Sequence, residues 1–145
     1  MRLPILCAFA ALSLAGCGAK PAAGVDGAWV RLPAVAGRPG AAYFTLKAGQ
    51  QPLTLLSLKT PAAVRTELHE SMKSGSGMMT MTPLNEVAVP AGGTTAFAPG
   101  GRHAMLFDMN PALKAGGTTT LTLAFADGTT IEAKAAVRGA GDPAP

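Results

Sequence analysis

Two histidines and a cluster of methionines are the residues of this chain best equipped for chemistry. The histidines are His69 and His103. Apart from the initiator, the methionines are Met72, Met78, Met79, Met81, Met105 and Met109. Scattered methionines would mean core filling, because Met is a flexible and polarizable gap-filler. These six fall in one stretch that also contains both histidines. Within it, His69, Met81, His103 and Met105 offer two imidazoles and two thioethers. Thioether is a soft ligand that selects Cu(I), and imidazole also suits copper. Neither donor is charged, so binding releases few protons except at low pH, where histidine protonates. Met72, Met78 and Met79 read equally well as core or loop residues. Met79 also fits a role shielding a metal or passing it on, and Met109 reads as packing.

For the four donors to meet, strands must place them on one face. Residues 64–84 read as a hairpin with Lys73-Ser74-Gly75-Ser76-Gly77 at its tip. A turn centred on Gly75 sets His69 directly across from Met81. Opposed residues share a face, with Cβ atoms about 4.5–5.5 Å apart. The other face then carries Leu68 and Leu84, which suit a core. The inference depends on register, since a one-residue slip moves every side chain to the opposite face. In a strand, residues two apart point the same way, so His103 and Met105 form a second pair while Ala104 and Leu106 face the other side. Glu70 reads as a solvated surface residue with the option of orienting the His69 ring. Trp29 and Tyr43 read as core or rim aromatics, and Arg102 as a lone cation beside the site.

The rest of the chain supports a scaffold of strands. The 145 residues are one domain's worth, 48% hydrophobic and only 14% charged, which excludes a wholly disordered chain. Gly 18 and Pro 12 are spread without a period and leave little room for long helices. Alternating apolar runs recur at Ala28–Leu32, Ala41–Leu46, Leu53–Leu58, Val64–His69, Met78–Leu84, Thr94–Ala98, His103–Phe107, Thr119–Phe125 and Thr130–Val137. Asp127-Gly128 between two such runs is a hairpin turn that needs positive φ at Gly. Pro111–Lys114 is read as one helical turn. About nine short strands predict an all-β, antiparallel sandwich or barrel over residues 25–138, followed by a flexible tail, residues 139–145.

The N-terminus reads as an address. Met1-Arg2 is a basic start, Leu3–Leu14 is apolar, and Leu14-Ala15-Gly16-Cys17 follows. The apolar run is too short to span a membrane and fits an export signal. A cut before Cys17 resembles bacterial lipoprotein processing, which implies residues 1–16 as signal peptide, a lipidated Cys17, and residues 17–24 as tether. The other reading is an ordinary secretory signal that leaves Cys17 as a free thiol. Gly18, rather than Asp, after Cys17 leaves outer-membrane sorting open. Cys7 departs with the signal, so the domain has neither thiol nor disulfide. A His/Met site avoids the disulfide risk that an exported thiol would carry.

Several functions are excluded or set aside. Lys and Arg are scattered singly at a formal charge of +4, which argues against a nucleic-acid protein. No nucleophile-elbow or His-Glu-x-x-His motif is present, so no enzyme is expected. A blue-copper electron carrier needs a Cys thiolate at the metal, and the domain has none.

His69-Glu70, ten residues, Met81, twenty-one residues, then His103-Ala104-Met105 resembles the H(M)-x10-M-x21-H-x-M pattern of the periplasmic copper chaperone family PCu(A)C. Glu70 stands where that pattern has an optional Met. Asp26-Gly27-Ala28-Trp29, Gly40-Ala41-Ala42-Tyr43, Glu67-Leu68-His69-Glu70, Pro90-Ala91-Gly92-Gly93 and Pro99-Gly100-Gly101 are similar to the family as well. The resemblance implies a cupredoxin-like Greek-key barrel and one Cu(I) site of His69, Met81, His103 and Met105. It also implies copper exchange with donor and acceptor proteins. The expected task is assembly of the CuA centre of a haem-copper oxidase, with oxidase subunit II and a Sco-type thiol protein as candidate partners. The chain is expected to be a lipid-anchored monomer facing the periplasm. The His- and Met-rich C-terminal extension of some members is absent, which argues for one site. The competing reading is a metal-free structural or ligand-binding β-sandwich lipoprotein.

Overall fold

The computed structural model describes residues 22–145. Residues 1–21, which include Cys7, Cys17, the signal peptide and most of the tether, lie outside the described residues. The chain is all-β. It forms β1 (Gly24–Arg31), β2 (Gly40–Lys47), β3 (Leu53–Lys59), β4 (Ala63–Lys73), β5 (Met79–Leu84), β6 (Val87–Val89), β7 (Thr94–Phe97), β8 (Arg102–Met109), β9 (Thr118–Phe125) and β10 (Thr130–Arg138). They make one open sheet in the order β5-β4-β8-β7-β2-β1-β10-β9-β3-β6, with β8 also pairing with β2.

The sheet wraps around a single core. Nearly every strand contributes a buried apolar residue, among them Val30, Phe44, Leu46, Leu55, Leu68, Leu106, Leu121 and Leu123, and edge strand β5 adds the half-buried Leu84. These positions alternate with outward-facing ones, as a period of two requires. The Phe44 and Phe97 rings stack at 4.3 Å where β2 meets β7. The Asp127-Gly128 hairpin forms as its sequence demands. Gly128 takes φ +84°, and the Asp127 carboxylate accepts hydrogen bonds from the Thr129 amide and hydroxyl.

Four details differ from the sequence reading. There are ten strands, because Val87–Val89 is too short to show alternation yet buries both valines against β3. The pairing is mixed, with β1 parallel to β10 and β7 parallel to β8. Pro111–Lys114 is a turn and no helix. The Asn110 side chain accepts the Ala112 amide and its carbonyl accepts the Leu113 amide, which closes the chain locally. The β4–β5 turn centres on Ser76 instead of Gly75, so Lys73 pairs with Met79 and Gly77 carries the positive φ of +80°.

Gly40 opens β2 where the backbone is crowded. A Cβ there would come within 2.7 Å of the Arg31 carbonyl oxygen and would press on the Met109 sulfur. Gly40→Ala is expected to cost about 1–3 kcal/mol by overpacking. Leu106→Ala, which empties a fully buried site, should cost about 2–5 kcal/mol. Urea unfolding of both variants against wild type checks the two values.

Candidate metal centre

The outer face of the sheet collects the residues singled out by sequence. β4 lies between β5 and β8, and in the β4–β8 ladder His69 directly opposes His103. The two rings are 6.1 Å apart. The register extends this row. Trp29 pairs with Tyr43 across β1 and β2, and the Tyr43 ring lies 6.5 Å from His103. A neighbouring row runs Arg31, Ala41, Met105, Glu67 across β1, β2, β8 and β4.

Met81 opposes Ser71, and His69 opposes Pro83, so the expected His69–Met81 pairing is corrected by two residues. A shift of two keeps every side chain on its face. Met81 therefore stays on the histidine face as a diagonal neighbour of His69. Met105 is the other diagonal neighbour, across β8. Diagonal neighbours on a sheet lie about 7–8 Å apart, within reach of long side chains. On the opposite face, Leu68 pairs with Leu84 and with Ala104, and both Ala104 and Leu106 are fully buried.

Each imidazole is held by one nitrogen. His103 Nδ1 donates to the Gly101 carbonyl at 3.0 Å, and that carbonyl also accepts the Ser71 amide. Gly101 is placed by a turn in which Gly100 takes φ +83°. The bond leaves Nε2 of His103 with the lone pair. His69 Nε2 lies 2.9 Å from Glu67 Oε2. A carboxylate only accepts, so Nε2 carries the hydrogen and Nδ1 carries the lone pair. His69 Nδ1 is buried and has no hydrogen-bond partner. A buried imidazole nitrogen without a partner is costly and fits a ligand atom. Glu67 also pairs with Arg65, whose guanidinium lies 3.8 Å from the Phe107 ring centroid.

The carboxylate that touches His69 is thus Glu67, two residues away on the same face. Glu70, next in sequence, points to the other face and pairs with Arg102 at 3.3 Å. The Glu67-x-His69-x-Ser71 alternation carries that information. Met81, His103 and Met105 line one cleft of about 550 Å³ together with Arg31, Tyr43 and Met79. His69, 6.1 Å from His103, does not line that cleft. His103 is 6% exposed, whereas Met81 is 58% exposed. Met72 and Met78 are exposed as well, and Met109 packs against the core. Among the described residues no three His, Cys, Asp or Glu side chains converge on a metal position, so a metal held here would depend on the thioethers.

The profile of the family described as "Putative lipoprotein LpqE-like" matches residues 24–137. The chain belongs to the LpqE-like family. A curated relative, "Putative lipoprotein Lxx21020" of Leifsonia xyli subsp. xyli, is 31% identical over 106 residues, which are 73% of this chain. The matched stretch covers 63% of that relative's length. Among solved structures, the copper-bound PCuAC domain from PmoF2 superposes with a TM-score of 0.65 over 83% of this chain and 97% of that domain, at 20% identity, a likeness of fold. The solution structure of Cu(I)-DR1885 from Deinococcus radiodurans superposes with a TM-score of 0.63 at 34% identity, covering 86% of this chain and 83% of that one. Its apo form gives 0.60 at 33% identity, with 96% and 93% covered. The cupredoxin-like all-β class expected from sequence therefore stands for this LpqE-like chain.

Burial raises the Tyr43 phenol above its ordinary pKa of 10.0, and the Arg31 charge works against that rise. A raised phenol favours the neutral, folded form. Its contribution to stability is complete below pH 10 and is lost as pH climbs through the folded value. Tyr43 is the sole tyrosine, so alkaline absorbance reads it alone. Its midpoint should lie above 10 in the native protein and higher still in Arg31→Gln.

Proposed function

We propose that this chain is a copper carrier of the cell envelope. It holds one Cu(I) through His69 Nδ1, His103 Nε2 and the sulfurs of Met81 and Met105, and releases it to a partner protein. The observation that carries this reading is the orphaned, buried Nδ1 of His69 directly across the β4–β8 ladder from His103. Two neutral nitrogens and two thioethers are a soft set matched to Cu(I). Likeness to a copper-bound PCuAC domain and to Cu(I)-DR1885 supports the same cargo.

The division of roles follows from burial. The imidazoles are anchored by Glu67 and Gly101, while Met81 rides on exposed edge strand β5. Release by ligand exchange then starts at the thioether side, where a partner's donor can displace a flexible Met. Copper is cargo here, and no bond is made or broken besides those to the metal, so the role is that of a carrier with no catalysis. The LpqE-like family and the Leifsonia relative carry lipoprotein names. They support export and lipid anchoring at Cys17, on the periplasmic side of the envelope. Delivery toward an oxidase CuA centre, alongside a Sco-type thiol protein, is the task that fits such a carrier.

Competition against a colorimetric Cu(I) chelator tests the site. Wild type should retain one equivalent, and the His69→Ala/His103→Ala double variant should retain none. Identical behaviour of the two would defeat the carrier reading. Met81→Leu and Met105→Leu should each weaken retention by about tenfold or more, as changes around metal sites do. Their folding stability should stay within about 1.5 kcal/mol of wild type. X-ray absorption of the Cu(I) form should show sulfur scatterers as well as nitrogen.

A further inference from the structure

The cleft beside His103 contains one charged side chain other than histidine, Arg31. It leaves the end of β1 and lies over two aromatic rings, with Cζ 4.8 Å from the Trp29 centroid and 5.7 Å from that of Tyr43. Arg31 Nε is buried and has no hydrogen-bond partner. Among the described residues, no carboxylate pairs with Arg31. Residues 1–21 contain no Asp or Glu at all. A buried guanidinium donor left without an acceptor is costly. Its planar fork is shaped to take both oxygens of a carboxylate.

The register explains why space remains above this group. In the row Arg31, Ala41, Met105, the middle position is a single methyl, so the cleft floor is low between the guanidinium and the Met105 thioether. Gly40 and Pro39 continue that floor. The far wall is formed by Met79 and Met81, both more than half exposed. Exposed, adaptable methionines around a cationic anchor suit a protein contact better than a small free anion.

We propose that this cleft docks a carboxylate side chain of the protein that exchanges copper with this one, with Arg31 as its anchor. The identity of the occupant as a copper partner rests on the carrier reading. The chemistry of the anchor does not. A partner must bring its own soft donors to His103 and Met105, and an acidic residue seated on Arg31 would set that approach. An acidic residue flanked by thioethers answers both halves of the cleft.

The test uses copper-free protein and two blocked tripeptides, acetyl-Met-Asp-Met-amide and acetyl-Met-Asn-Met-amide. Trp29, the sole tryptophan, lies under the guanidinium and reports binding by fluorescence. Wild type should prefer the Asp peptide by about five- to tenfold, the scale of one charge-assisted pair. Arg31→Gln should reduce the preference to about twofold or less, and Arg31→Lys, which keeps charge without the fork, should retain part of it. Equal binding of the two peptides by wild type, or a preference that survives Arg31→Gln, overturns the proposal. So does sodium acetate matching the Asp peptide at equal concentration, which would mark a site for free small anions. Circular dichroism confirms that the variants fold. Should Arg31→Gln fail to fold, the wild-type preference and its reduction in Arg31→Lys decide alone. Because copper is absent, failure here leaves the Cu(I) titration result standing, and loss of Cu(I) binding leaves the carboxylate site standing.

Discussion

The antiparallel register of β4 against β8 is the constraint on which the centre depends. It puts His69 opposite His103 and makes Met105 a diagonal neighbour of His69. A slip of β4 by one residue would turn His69 toward the core and bring Leu68 to the outer face. The core therefore guards the site. Leu68, Ala104 and Leu106 are buried on the reverse of the same strands, and their burial, at about 25 cal/mol per Å² of apolar surface, opposes any slip. The core thus sets the strand register behind the histidine pair.

Polar contacts refine what the core imposes. Arg65 steadies Glu67, Glu67 holds one edge of the His69 ring, and the Gly101 carbonyl holds one edge of His103. Each ring thus presents a single nitrogen. Such partners beyond the donors fix tautomer and orientation. β5 has none of this support. It is an edge strand with Pro83 opposite His69, and a proline at that place also blunts the edge against pairing with another chain. The imidazoles of the candidate centre are held by these contacts, and Met81 lies exposed on the edge strand.

Much of this was legible in the chain because the decisive patterns are local. His103-Ala104-Met105 reads as two residues on one face around one on the other, and Ala104 joins the core while His103 and Met105 line the cleft. Leu68 and Leu84 were expected opposite the histidine face and pair there. The Asp127-Gly128 turn was equally readable. Features set by non-local pairing were not. The β4–β5 register missed by two because five loop residues admit more than one turn centre. The parallel β1–β10 and β7–β8 contacts leave no mark in alternation. Sequence adjacency pointed to Glu70, while the pleat selects Glu67. Arg31 reaches the site through two strand pairings and one small residue, Ala41, and no local motif announces such a path.

For the proposed carrier, the contrast between the anchored imidazoles and the exposed Met81 bears on how cargo would be both held and released. If all four donors were buried and rigid, a partner could displace none of them without opening the sheet. In the proposed reading, with the nitrogens anchored and Met81 on a free edge, the cost of exchange would fall on a side chain that loses and regains rotamers easily. The cleft that exposes Met81 is the one that contains Arg31. Under the proposed reading, access to the thioethers and a positive anchor for an incoming chain would be two properties of one surface, the cleft where β1, β2, β8, β4 and β5 line up.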